Sequence, residues 1–208
     1  HQYIIKKYTQ CWVPDVAGTP NLTGKLGHLK KLKFPITYLG ALSRMDPKNL
    51  PQKYDLMVLL SGPEPQRTML EEKLLEEVQR FTGEVLFVKG KMEKEQHIDI
   101  QNHVEIYNFM TSEQLENAIQ QSGMVLSRSG YTTVMDLAKL HKKAFFIPTP
   151  GQFEQEYLAK KYKKEGLVPY AKQDKFKIEQ LNEVPFYKGL QNFTVLIDWK
   201  KLFQLFQG

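Results

Sequence analysis

The chain has 208 residues, 41% of them hydrophobic, with one cysteine and a formal charge of +6. That composition excludes a disordered or fibrous protein, an internal disulfide framework and any cysteine-built zinc site, and no apolar run is long enough for a spanning helix. The positive balance calls for an anionic partner; because the only four arginines are scattered, a phosphate-bearing ligand is expected and nucleic acid is not.

In chain order, residues 1–45 offer a strand-like piece at Cys11–Val13, with Cys11 as a small core residue. A loop rich in Gly, Pro and Asn runs from Pro14 to Gly27, followed by a basic stretch and a short strand at Ile36–Leu39 that ends at Gly40. This is too little to fold alone. It is expected to be the tail of a preceding domain and a linker, with a boundary near Asp46 and a second domain over residues 46–208.

From there two periods alternate. Tyr54–Leu60 is a continuous apolar run ending in Ser61-Gly62-Pro63, as a buried parallel strand entering a loop would be. Leu70, Leu74, Leu75 and Val78 then recur at helical steps, which predicts a helix within Pro65–Phe81. Further strands are expected at Glu84–Val88, Val104–Tyr107, Met124–Leu126, Ala144–Ile147 and Leu167–Pro169, with residues 89–103 as a polar loop. Helices are expected at Ser112–Gln121, Tyr131–Leu140, Glu154–Lys164 and, at the end, Phe193–Phe206. The fold class is therefore α/β, a Rossmann-like parallel sheet with helices on both faces. In such folds ligands gather outside the carboxyl ends of the strands.

The loops at those ends carry the chemistry. Ser127-Arg128-Ser129-Gly130-Tyr131-Thr132 is a strand end, a small-residue turn and a helix start, where unpaired N–H groups and the helix dipole attract anions; a diphosphate fits there. Asp136, about one and a half turns further in, is placed to accept from a ribose diol. Taken alone, the segment is equally a capped helix with a surface aspartate. In Ile147-Pro148-Thr149-Pro150-Gly151-Gln152-Phe153-Glu154-Gln155 the prolines and glycine halt regular structure and present Gln152, Glu154 and Gln155, whose groups suit sugar hydroxyls. The lysine runs, including Lys160-Lys161 and Lys163-Lys164, read as solvated faces.

Together these segments resemble the donor signature of MurG-like family 28 glycosyltransferases of the GT-B fold: a strand, Ser-Arg-small-Gly, Thr, an acidic residue before Leu, then Ile-Pro, a polar loop and a glutamine. The match runs from Val125 to Ala159, with weaker similarity over most of residues 36–170. The resemblance implies the donor-binding half of a two-domain enzyme that takes a UDP-sugar, with no cofactor. It assigns Ser127 to Thr132 to the diphosphate, Asp136 to the ribose, and Glu154 and Gln155 to the sugar. Phe109 and Met110 take the place of family residues that read uracil, and Gly40 to Arg44 that of the interdomain Gly-x-x-x-Arg. Ser61 and Gly62 take the place of a glycine-rich loop; here Pro63 and Pro65 remove donors, which shifts the expected phosphate contact to Arg67.

The resemblance also implies an acceptor, lipid-linked in the family, held by an N-terminal domain that lies largely outside this chain. Catalytic residues are not readable; His1-Gln2 fits either a family turn or a tag. A hydrolase or 2-epimerase of the same fold, or a non-catalytic nucleotide-sugar-binding subunit, are the alternatives. The chain shows no signal peptide, so a cytoplasmic location is expected, with peripheral contact at the inner membrane face through the basic stretch His28–Phe34. The histidines lack metal-ligand spacing, so no metal site is expected.

Overall fold

The computed structural model describes residues 4, 7–28, 35–91, 93–191, 195 and 197–204. Two short parallel strands come first, β1 (Cys11–Val13) and β2 (Ile36–Tyr38). Then follow β3 (Tyr54–Leu59), α1 (Gln66–Val78), β4 (Val85–Val88), β5 (Ile98–Gln101), β6 (Val104–Tyr107), α2 (Ser112–Gln120), β7 (Ser122–Ser127), α3 (Tyr131–Lys139), β8 (Lys143–Phe146), α4 (Phe153–Lys164) and α5 (Trp199–Phe203). Strands β3 to β8 form one sheet in the order β5-β6-β4-β3-β7-β8, parallel throughout except for β5. From β3 the chain steps outward through β4 to β6, then returns to the other side of β3 for β7 and β8. That reversal sets a topological switch point between β3 and β7, where open α/β sheets leave a crevice.

Continuous apolar strands are explained by burial on both faces. Leu56 and Val58 of β3 pack with Leu70, Leu74 and Val78 of α1, whereas Met57 packs with Val134 and Leu137 of α3 and with Leu158 and Tyr162 of α4. Each such aliphatic side chain, fully buried, contributes about 1.5–3 kcal/mol over its exposed state. The N-terminal segment joins one of these layers: Leu22 and Met45 belong to the same cluster as α3 and α4, and the Tyr162 hydroxyl donates to the Leu22 carbonyl at 2.9 Å. Its loop is pinned by Asp15, fully buried, which accepts from the backbone N–H groups of Val16, Leu22 and Thr23. Cys11 is half-buried on β1.

Three elements differ from the sequence expectation. Residues 98–101, expected within a loop, form the antiparallel edge strand β5, joined to β6 through Asn102 at φ 55°. All four residues are exposed, so burial leaves no long apolar signature in the sequence. The strand expected at Leu167–Pro169 reduces to a bridge between Phe146 and Tyr170, because Pro169 has no N–H to extend a ladder. Within the expected terminal helix, described residues are helical over Trp199–Phe203, and Phe203 meets Trp12 edge-on at 5.8 Å. His1-Gln2 and residues 29–34 of the basic stretch lie outside the described residues. No helix among the described residues is long and apolar enough to cross a membrane.

Candidate functional site

Because β3, β7 and β8 run parallel, their loops leave from one edge, nearly level: Leu59 pairs with Ser127, and Ser127 with Phe146. The turn after β7 leads into α3 through Gly130, which caps the helix in an extended conformation with no side-chain cap. α2, by contrast, closes its own N-terminus with a capping box between Thr111 and Gln114. The first amides of α3 are therefore left to a partner outside the helix, and the dipole favours an anion. A Cβ built on Gly130 meets nothing within 4 Å, so the approach is open. Ser129, fully buried, does not cap: its hydroxyl donates to the Gln155 carbonyl at 2.8 Å. Ser127 is buried at the strand end and Thr132 is exposed on the first turn.

Two arginines and a tyrosine assigned to the diphosphate are engaged elsewhere. Arg128 is 1% exposed, and its guanidinium donates to the carbonyls of Ile147, Pro148 and Gln66 and to Gln173 Oε1 at 2.7–3.2 Å. It ties three loops together from inside, so any contact it makes with a crevice ligand is through its backbone. Burial lowers its pKa to about 10, which leaves it a cation at neutral pH. Arg67 is also buried, held by Glu71 at 2.7 Å and by Glu64, with the Lys89 carbonyl and the Thr68 hydroxyl as further acceptors. The removal of donors by Pro63 and Pro65 is thus not offset by a free Arg67. The Tyr131 hydroxyl donates to the Pro14 carbonyl at 2.6 Å; burial, with the Asp15 and Glu154 charges, raises its pKa well above the ordinary value.

The loop after β8 meets this turn. Gly151 takes φ 79°, a conformation that favours glycine, and Gln152 opens α4 without a side-chain cap. Gln155 accepts from the Thr149 N–H at 2.9 Å and donates to Gln152 Oε1 at 2.6 Å, which fixes its amide at the crevice; Glu154 is exposed beside it. Across the switch point stands Gly62, exposed with Ser61 at φ 106°. A Cβ there would lie 3.6 Å from the Thr149 hydroxyl. Gly62, Thr149, Gln155 and Ser129 are thus linked as successive neighbours at one edge of the sheet.

Asp136 is reached from the segment that follows β2. It is half-buried and accepts from the Ser43 hydroxyl at 2.7 Å; burial raises its pKa, opposed by Ser43 and by the charge of exposed Arg44. Phe109 and Met110 follow β6, three strand spacings or about 14 Å from β7. The Phe109 carbonyl accepts from Gln96 Nε2 at 2.8 Å, and Asn108 holds the preceding loop by accepting from His97 N–H and donating to Glu93. Sequence reasoning missed Ser43 and Thr149. Ser43 lies inside the Gly40–Arg44 pattern, which is a signal; the buried Thr149 hydroxyl, without a hydrogen-bond partner among the described residues, has none in sequence.

The chain resembles the solved glycosyltransferase VinC, whose structure holds dTDP, with 12% identity and a TM-score of 0.53, covering 75% of this chain and 42% of that one. The spinosyn forosaminyltransferase SpnP gives 10% identity and 0.51, covering 74% and 41%, and MurG of Acinetobacter baumannii gives 18% and 0.47, covering 65% and 40%. For VinC and SpnP the likeness is one of fold, and the chain spans less than half the length of all three. No curated protein matches it in sequence. The model of the glycosyltransferase family 28 C-terminal domain matches residues 66–185, more than half of the chain, and covers the turns after β7 and β8. The chain thus belongs to the glycosyltransferase family 28 C-terminal domain family.

Proposed function

We propose that this chain is the donor-binding half of a glycosyltransferase that moves a hexose or N-acetylhexosamine from a UDP-sugar to an acceptor held by a preceding domain. The observation that supports it most is the meeting of two helix N-termini lacking side-chain caps, those of α3 and α4, at the switch point beside Gly62. In this reading the diphosphate lies against the amides of Gly130 to Thr132, where the dipole of α3 stabilises the leaving group. Asp136 accepts from the ribose, Glu154 and Gln155 from the sugar, and Phe109 and Met110 receive the base. The reading needs no metal ion in principle, because the dipole and free amides at the helix N-terminus offset the developing charge. It goes with a cytoplasmic enzyme whose positive charge, +6 overall, favours the inner face of the membrane.

Calorimetric titration with UDP-N-acetylglucosamine, UDP-glucose and UDP tests the reading. Binding is expected, weakened about tenfold in Asp136→Ala and in Gln155→Ala, the loss of one or two polar contacts. Unchanged affinity in both variants removes the site assignment. Incubation with labelled UDP-sugar and acceptor then separates transfer from hydrolysis, epimerisation or retention.

A further inference from the structure

A hollow of about 540 Å³ opens between the N-terminal loop and α4. It is lined by Lys25 and His28 from the loop and by Tyr157, Lys160, Lys161 and Lys164 from the helix; Glu165 is the one carboxylate in the lining. The helical members recur at steps of three and four, so the lysines form a single stripe of α4. One turn earlier on the same stripe, outside the lining of the hollow but against its Tyr157, Phe153 is 74% exposed and stacks on that ring, ring centres 6.3 Å apart and planes 23° from parallel.

The hollow is built on a fixed floor. A Cβ on Gly24 would lie 2.3 Å from the Tyr157 hydroxyl and 2.9 Å from Lys161 Cε, so loop and helix approach as closely as only glycine permits. The Lys25 N–H donates to the Tyr157 hydroxyl at 2.8 Å, and Lys161 donates to the Asn21 carbonyl at 2.7 Å and to Glu165 at 2.8 Å. Lys161 is thereby satisfied and structural. Glu156 comes only within 3.8 Å of Lys160, and no carboxylate among the described residues is within ion-pair distance of Lys25 or Lys164. Like charges on one helix stripe repel, and a concave surface concentrates their field. An anion with several acceptor oxygens relieves both, and lysines bind phosphate as point charges. The stacked rings offer a flat apolar face that a sugar ring covers with its C–H side, removing both from water.

We propose that this hollow is a second anion site that binds a sugar phosphate, its ring against Phe153 and Tyr157 and its phosphate among Lys25, Lys160 and Lys164. At 1.5 Å per residue Lys160 and Lys164 lie about 8–14 Å along α4 beyond Gln155, so the phosphate end of the site is set apart from the donor crevice and the Phe153 end adjoins it.

The test is titration of the whole chain with glucose 1-phosphate, inorganic phosphate and glucose, with and without excess UDP, followed by NMR or calorimetry. Glucose 1-phosphate is expected to bind several-fold more tightly than inorganic phosphate, glucose not measurably, and UDP not to compete. The double variant Lys160→Gln, Lys164→Gln is expected to weaken glucose 1-phosphate about tenfold. UDP affinity and the circular dichroism spectrum should stay as in wild type. Phe153→Ser is expected to abolish the preference over inorganic phosphate while leaving phosphate binding intact. Displacement by UDP, wild-type affinity in the double variant, or equal affinity for the sugar phosphate and inorganic phosphate would each overturn the proposal. Failure of UDP to bind at all bears on the donor reading alone.

Discussion

The hydroxyl of Ser129 donates to the carbonyl of Gln155 at 2.8 Å, joining the turn before α3 to the first turn of α4. In the proposed donor reading this bond sets the spacing between the α3 amides that would face the diphosphate and the Gln155 side chain that would face the sugar. Ser129→Ala is expected to cost about 1 kcal/mol, the net value of a buried hydrogen bond. Urea denaturation measures that loss, and titration with UDP-N-acetylglucosamine should show weaker binding with UDP itself nearly unaffected. Equal weakening for both ligands would show that the bond does not set the sugar position.

Arg128 holds four acceptors in a site that water does not reach. Arg128→Leu withdraws the guanidinium from the carbonyls of Ile147 and Pro148 and from Gln173, with an expected loss of about 3–5 kcal/mol. Lysine should not rescue, because a single ammonium cannot span a fork of four acceptors. A drop of under about 1 kcal/mol in urea would mean that water replaces the guanidinium without strain.

Asp136 carries a prediction with a sign. Burial raises its pKa above the ordinary 3.8, with Ser43 and Arg44 opposing. A raised carboxyl contributes stability that is fully present below pH 3.8 and is lost as pH rises through the folded value. At pH 7 the ionised form is therefore a net cost, partly screened by solvent. Asp136→Asn should raise the unfolding free energy at pH 7 slightly, by less than about 1 kcal/mol, with a matching small rise in melting temperature, and the difference should vanish near pH 3. In the same variant UDP affinity should fall about tenfold, because the amide accepts one bond where the carboxylate accepts two. Stability and affinity falling together would show a structural role only.

Much of this fold was legible because its strands are buried on both faces. Leu56, Met57 and Val58 are all fully buried, so the run from Tyr54 could only be an interior strand. The edge strand Ile98–Gln101 escaped because nothing covers it; exposed Ile98 and Ile100 gave an alternation too short to separate from a loop. In the candidate site the turn after β7 was the readable part: Gly130 begins α3 without a side-chain cap, as its type alone dictates. Long cations were not readable. A sequence shows that Arg67 and Arg128 are charged, but not that Glu64 and Glu71 close around one and backbone carbonyls around the other. Their roles depend on partners distant in the chain, which no local pattern contains.

Glu71 supplies the last prediction. It is 6% exposed, and Arg67, Lys89 and Lys91 converge on it at 2.7, 3.1 and 3.3 Å. Burial pushes its carboxyl up, but the bonds from Arg67, Lys89 and Lys91 and the charge of Lys89 outweigh it and hold the pKa below the ordinary 4.5. A lowered carboxyl contributes stability that is present above pH 4.5 and is lost as pH falls through the folded value. Glu71→Gln should therefore destabilise the chain at pH 7 by about 2 kcal/mol, discounted from a fully buried pair because the lysines are partly exposed. Below the folded value the wild-type carboxyl is itself neutral, so the two proteins should converge. Urea midpoints at pH 7, 4.5 and 3 decide it: a gap that stays constant across the series would show that shape, and not charge, makes Glu71 matter.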